Sequence, residues 1–498
     1  MLYTDEVLWI VVVGFIIAFI LAFGIGANDV ANSFGTSVGA KVLTLTQACI
    51  LATICEFLGA VLLGMKVSGT IRNGIIDASL LVDDPNGPKK LLLGYLSSLV
   101  GACIWLLMAT FFRLPVSGSH SIVGAVMGFG LVLFGYKGIY FMEILKIVIS
   151  WVVSPILSGI ISVLFFFLVK KFVLDKSDGL EPALTSLPLI FGVCIIVNVF
   201  SILKSAPDAF KFSVIPMYGK IILSFGLGII CAICVKFFLN PLIRNNILRQ
   251  MLKIPSGSFN EKSKLKTLSE RICQAFNFSS RNKRNETNND VKTFDAKTEN
   301  FKEEVVVVNP AKIENGSEEK DLVSVINKDR VPEGKVYSFC QIVIAVFGSF
   351  AHGGNDVSNA IGPLIAIWLI GITGDLLPEQ ETPIYLLVFG GFGITVGLWV
   401  WGRRVIQTLG EDLTAITPSS GVAIELGSAL TVLVASNIGI PVSTTHCKVG
   451  SVVLVGRFRS KENVNWKIMR NIVIAWLVTV PASAGISALC MYLLLFSV

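Results

Sequence analysis

Long apolar stretches separated by short polar ones run along this chain near residues 7–24, 43–64, 91–112, 115–134, 144–169, 187–203 and 219–239. They resume near 336–350, 361–372, 383–401, 421–437, 440–456 and 471–497. A helix of roughly 17 to 25 apolar residues crosses a bilayer, so the first group predicts about seven crossings and both groups together about twelve, some of them broken or half helices. Between the groups, 240–335 is rich in Lys, Glu, Asn and Ser and has no sustained apolar period, which predicts a disordered loop. The pattern predicts an all-α polytopic membrane protein in three parts. These are a first membrane half at 1–239, the polar loop at 240–335 and a second membrane half at 336–498.

Composition changes this picture little. Of 498 residues, 53% are hydrophobic and only 15% charged, and the mean hydropathy is +0.74. The formal net charge of +7 does not imply nucleic acid, because the basic residues sit beside apolar runs and in the loop, as membrane orientation requires. Arg244, Arg249 and Lys253 directly follow the seventh run, which places 240–335 in the cytoplasm and both termini outside. The sequons at Asn277, Asn285 and Asn315 then read as chance matches. Asp5 and Glu6 stand where a signal peptide carries Lys or Arg, so residues 1–23 read as a retained first helix. The 10 cysteines have no fixed pattern, and Cys231 and Cys234 lie in an apolar run as small hydrophobes, predicting neither disulfide nor zinc.

Two blocks of polar residues interrupt the apolar runs, and each occurs twice. Gly26-Ala27-Asn28-Asp29-Val30-Ala31-Asn32-Ser33 returns as Gly354-Asn355-Asp356-Val357-Ser358-Asn359-Ala360, with Asn28 and Asn355 separated by 327 residues. Pro115-Val116-Ser117-Gly118-Ser119-His120 returns as Pro441-Val442-Ser443-Thr444-Thr445-His446, a separation of 326. Two blocks repeated in one register mean a duplicated fold. A first copy that starts outside and a second that starts from a cytoplasmic loop run through the membrane in opposite directions, the inverted-repeat plan of secondary transporters.

Chemistry follows from residue types. Asn28 and Asn32, like Asn355 and Asn359, are four apart and share a helical face with Asp29 or Asp356 close by. Carboxylate and amide oxygens together suit a hard cation such as sodium, and each buried acid costs several kcal/mol in hydrocarbon unless it has a partner. The competing reading is helix capping, in which Asn and Asp satisfy free N–H groups ahead of a helix. In the second block, proline, small residues and hydroxyls at a helix start make an anion site, to which Ser117, Gly118, Ser119, Ser443, Thr444 and Thr445 contribute across a central cavity. The competing reading is hydroxyls bonded back to the previous turn for packing.

All 3 histidines, His120, His352 and His446, lie in or beside these blocks and are candidates for gating or proton transfer. None has a second ligand at helical spacing, so no metal other than sodium is expected. Glu56 and Glu425 are further acids inside apolar runs. They break the repeat register and therefore sit on non-equivalent helices, either serving a cation or pairing with a group such as Lys66, Arg403 or Arg404. Lys41 is placed at an interface. Ser117 with His120, or Ser443 with His446, superficially suggests a hydrolase, but neither pair has an orienting acid nearby, and no enzyme is expected.

At these two pairs of blocks the sequence resembles the inorganic-phosphate transporter family, the sodium- or proton-coupled phosphate symporters. The resemblance covers both membrane halves. It implies an inverted-repeat fold of about twelve spans, a homodimer, and phosphate held between the repeats with cations beside it, with no cofactor beyond sodium as co-substrate. Carried over by motif, Asn28, Asp29, Asn355 and Asp356 line the central site, and Ser117, Ser119, Ser443, Thr444 and Thr445 meet phosphate oxygens. Asp29, Asn32, Glu56, Asp356, Asn359 and Glu425 are the candidate sodium residues. The expected activity is sodium-coupled phosphate uptake by alternating access, in the plasma membrane by default. The alternatives are proton-driven phosphate or sulfate symport and a phosphate channel or sensor.

Overall fold

A computed structural model describes residues 5–207, 210–251, 329–378, 380, 382–407, 412–460 and 464–497. The sequons and Lys253 lie outside the described residues, as does most of 240–335. The chain divides into two compact units, Met1–Ile243 with Asp329–Val498, and Arg244–Lys328. Of the second unit only 244–251 are described, and they are helical.

Among the described residues, regular structure is helical, with two isolated β-bridges, Ile76 to Ile139 and Thr414 to Val464. In chain order the helices are α1 (Leu8–Gly39), α2 (Leu45–Leu63), α3 (Met65–Asn73), α4 (Gly87–Phe111), α5 (Gly118–Phe134), α6 (Phe141–Val169), α7 (Leu180–Ser205), α8 (Met217–Cys234) and α9 (Asn240–Met251). They continue as α10 (Val331–Thr373), α11 (Ile384–Trp401), α12 (Arg403–Gln407), α13 (Pro418–Ile438), α14 (Thr444–Arg459) and α15 (Trp466–Leu494). Eleven helices among the described residues are long and apolar enough to cross a membrane. The short α14 has 16 residues and spans about 24 Å at 1.5 Å per residue, less than the hydrocarbon core of about 30 Å.

Two sequence expectations change, and the competing capping reading falls away. The runs at 336–350 and 361–372, read as separate, belong to one continuous 43-residue helix, α10. The polar block between them keeps the helical backbone, with Asp356 accepting from Thr444 on α14 and Asn355 donating to the segment before it. Consequently Asn28–Asp29 and Asn355–Asp356 lie in helix interiors, and they do not cap anything. Finally, 240–251 and 331–335, expected in the loop, are helical: α9 continues α8 through a π turn at Val235–Leu239, and α10 starts with a proline in its first turn.

The packing exchanges elements between the halves. α1 packs on α11 of the second half, and α10 packs on α2 of the first. In the same way α5 packs on α15 and α14 on α6. Each contact therefore has a counterpart in which the repeat-equivalent helices swap roles. Close approach is possible because small residues stand at the crossings. A Cβ on Gly397 would lie 1.8 Å from the Phe23 carbonyl oxygen, and one on Gly353 would lie 2.2 Å from that of Glu56. Between helices in lipid, such close van der Waals packing replaces the hydrophobic drive available in water.

Candidate functional site

Short non-helical segments precede α5 and α14, and each starts its helix with a serine cap. Ser117 accepts from the His120 amide at 3.3 Å, and Ser443 from the His446 amide at 3.1 Å. Asn28 fastens the first segment: its Oδ1 accepts from the Val116 amide at 3.1 Å, while its Nδ2 donates to Leu114 O and the Thr110 hydroxyl, each at 3.0 Å. Asn355 fastens the second by donating to Val442 O at 3.0 Å. Each leading asparagine thus ties its motif helix to the hydroxyl block of its own half. That positioning role was not legible from the spacing of either block alone.

The two hydroxyl blocks then meet directly. Ser119 donates to Val442 O at 2.8 Å, and Thr445, its repeat counterpart, donates to Val116 O at 3.1 Å. The sequence expected these residues to face one another across a cavity; they are instead bonded to each other's segments. Both helix starts are thereby held against each other's preceding segments, and a helix start favours negative charge.

Next to this junction lie the acids. Asp29 Oδ1 accepts from Asn32 Nδ2 at 3.1 Å and from Thr445 Oγ1 at 3.2 Å, and Asp356 Oδ1 accepts from Thr444 Oγ1 at 3.1 Å. Asn32 Nδ2 also reaches the hydroxyls of Thr445 at 2.9 Å and Thr444 at 3.3 Å. A Cβ on Gly118 would stand 3.6 Å from Asp29 Oδ2 and 3.5 Å from Asn359 Nδ2, so Gly118 floors the gap between those two side chains. Asp29 and Asp356 are 3% and 4% exposed, with no ion pair to either among the described residues.

Several polar atoms around this point have no protein hydrogen-bond partner: Asp29 Oδ2, Asn32 Oδ1, Asn355 Oδ1, and both Oδ1 and Nδ2 of Asn359. Buried polar atoms are normally satisfied, so a cluster of this kind marks a ligand position. Four of the five are oxygens, and carboxylate and amide oxygens are the donors a hard cation takes. The starts of α5 and α14 beside them are the kind of position that suits an anion.

Glu56 and Glu425 approach the same two motif helices from other sides. Glu56, on α2, accepts from Ser33 on α1 at 2.6 Å and from Ser349 on α10 at 3.4 Å. Glu425, on α13, accepts from Thr36 on α1 and from Lys448 Nζ on α14 at 2.6 Å. Lys448 is therefore the cation opposite Glu425, in place of Lys66 or Arg403; the Arg404 side chain lies outside the described residues. Sequence reasoning missed it because Lys448 sits in a motif read for its hydroxyls. A lysine four residues after Thr444 on a short helix was the available signal.

The histidines separate into two groups. His120 and His446 lie with ring centroids 4.4 Å apart; His120 stacks on Trp151 at 3.6 Å and His446 packs on Trp476 at 3.7 Å. The four rings form one column that joins α5, α14, α6 and α15. His446 Nδ1 lies 3.1 Å from Trp151 O, and Trp476 Nε1 donates to Pro115 O at 3.1 Å. His352 is fully buried elsewhere on α10, with neither ring nitrogen bonded. Lys41 is exposed just beyond α1.

Comparison with known proteins agrees with these blocks. A sodium-dependent phosphate transporter 1-B of Xenopus laevis is 38% identical, over 98% of this chain and 96% of its own length. A sodium-dependent phosphate transporter 1-A of Danio rerio is 39% identical, over 98% and 95%. A solved structure titled "The sodium-dependent phosphate transporter" superposes with a TM-score of 0.75 at 33% identity, covering 99% of this chain and 100% of the other. The sequence profile described as the phosphate transporter family matches residues 25–487, which include both pairs of blocks and both buried glutamates. A duplicated helical membrane fold, with its acids and hydroxyls gathered where the halves cross, thus carries that family's features along its whole length, and the chain belongs to the phosphate transporter family.

Proposed function

We infer that the protein is a secondary active transporter that carries inorganic phosphate across the membrane with sodium, by alternating access. The observation that carries this reading is the buried pair Asp29 and Asp356, standing beside uncommitted amide oxygens and the starts of α5 and α14. Phosphate bears between one and two negative charges near neutral pH. Two unit charges about 4 Å apart repel by about 4 kcal/mol at an effective dielectric of about 20, so phosphate approaches these carboxylates only in company with cations. That obligatory pairing is what couples the two fluxes. The relatives named for sodium-dependent phosphate transport support the same assignment.

In this reading Asp29, Asn32, Asp356 and Asn359 hold sodium, joined by Asn355 Oδ1, and Glu56 offers a further cation position. The amides at the starts of α5 and α14, around Ser117, Gly118 and Ser443, receive phosphate, joined by Ser119, Thr444 and Thr445 once their hydroxyls turn from the acceptors they hold here. Reciprocal packing supports two repeats in 1–239 and 336–498; their inverted orientation, a cytoplasmic segment at 240–335, termini outside and a plasma-membrane homodimer complete the proposal on the charge pattern and the family resemblance. The His120–His446 column bridges the halves and gates their rocking. Labelled-phosphate uptake into proteoliposomes, with sodium replaced by choline, tests the assignment. The expected result is loss of uptake without sodium. Uptake that follows a pH gradient alone identifies proton coupling, and sulfate competition broadens the substrate.

A further inference from the structure

Two buried glutamates approach one stretch of the motif helices, but only one has a cation of the protein's own. Ser33 and Thr36 are three apart on α1, and Gly348 and Ser349 are neighbours on α10. Glu56 takes the hydroxyls of Ser33 and Ser349. Glu425 takes that of Thr36, and its Oε2 lies 3.3 Å from where a Gly348 Cβ would stand. The two carboxylates therefore occupy comparable positions, one delivered by α2 and the other by α13.

The difference is Lys448. Its ammonium contacts Glu425 Oε2 at 2.6 Å, and both side chains are 0% exposed. Among the described residues no salt bridge reaches Glu56. Burying a lysine fully is costly unless it is paired, and breaking such a pair leaves an uncompensated buried charge. A compact ammonium on a flexible stem is also about the simplest way for a protein to supply the charge of an alkali cation. Gly348, with no side chain, leaves room for that pair where a larger residue would press on Glu425.

We propose that Lys448 is a built-in counter-cation that occupies, at Glu425, the position sodium takes at Glu56. This rests on the sodium-coupled reading above and deepens it. Sodium is admitted to one of the two glutamates, and Lys448 fixes how many ions travel with each phosphate. Lys448 is a positioning residue that acts through Glu425. The converse holds for Glu56, whose hydroxyl partners donate hydrogen bonds but supply no positive charge.

The test compares the full-length protein with Lys448→Met and with the double variant Lys448→Met/Glu425→Gln, each in proteoliposomes. Sodium and phosphate fluxes are measured together, and charge moved per phosphate is read from the reversal potential. Lys448→Met is expected to carry one additional sodium ion per phosphate, with a steeper sodium activation curve. The double variant, which removes both charges, is expected to return to the wild-type ratio. An unchanged ratio in a transporting Lys448→Met protein overturns the proposal. So does a folded, inserted double variant that is inactive or has an altered ratio. Where Lys448→Met does not transport, the double variant decides alone. Wild-type protein indifferent to sodium removes the sodium-coupled reading itself, whereas sodium-driven wild type with unchanged variant ratios removes only the assignment of Lys448.

Discussion

Replacing Asp29 by Asn tests the central site with little change of shape. Asn retains an oxygen that accepts from Asn32 and Thr445, as Asp29 Oδ1 does now at 3.1 and 3.2 Å. What is lost is the negative charge at Oδ2, which has no protein partner. A cation in the gap above Gly118, whose Cβ position is 3.6 Å from that oxygen, lies within about 4 Å of the carboxylate. At an effective dielectric of about 20 the interaction is about 4 kcal/mol. At about 1.4 kcal/mol per decade, apparent sodium affinity then falls by about a thousandfold. Folding is not expected to suffer, because the substitution removes one of two neighbouring buried carboxylates. The assay is initial-rate phosphate uptake into proteoliposomes over a wide sodium titration, alongside thermal unfolding in detergent. Collapse of uptake at ordinary sodium, with partial recovery at the highest concentrations and unchanged unfolding temperature, is the expected outcome. A correctly inserted Asp29→Asn protein with a near-normal sodium curve would refute the reasoning.

Glu56→Gln keeps the acceptor oxygen for Ser33 and removes the charge; apparent sodium affinity is expected to fall at least tenfold, as measured by sodium titration at saturating phosphate. Ser443→Ala deletes the cap on α14 and costs about 1 kcal/mol, whereas Ser443→Thr, another capping residue, retains most of it; thermal unfolding of the two variants measures the difference. Gly397→Ala forces a methyl group into the Phe23 carbonyl, since the Cβ position is only 1.8 Å away. Separating α1 from α11 costs about 1 to 3 kcal/mol or more, read as lower folded yield and unfolding temperature, and Gly69→Ala, with nothing within 4 Å of its Cβ, serves as the neutral control.

Much of the architecture was legible in the chain because a membrane protein writes its spans as long apolar runs. The repeated blocks announced a duplicated fold, and the acids inside them announced a site, since charge in hydrocarbon needs a reason. Sequence also placed Glu56 and Glu425 on non-equivalent helices, and they are on α2 and α13. It misjudged the continuity of α10 and did not show that the leading asparagines fasten the hydroxyl segments. Periodicity sees a polar interruption in a helix but not the partners that make it tolerable.

Tertiary structure decided the rest. Which asparagine oxygens are committed, and which are not, depends on bonds spanning more than 80 residues, as between Asn28 and Val116. The cross-bonding of Ser119 and Thr445, the ring column of His120 and His446, and the pairing of Glu425 with Lys448 all join elements whose separation in sequence carries no distance information. Sequence alone determined the kinds of groups present and their duplication, because local composition and spacing encode those directly. Only the folded chain determined which of these acids is paired with a lysine and which has no ion pair among the described residues, because that depends on which helices come to lie side by side.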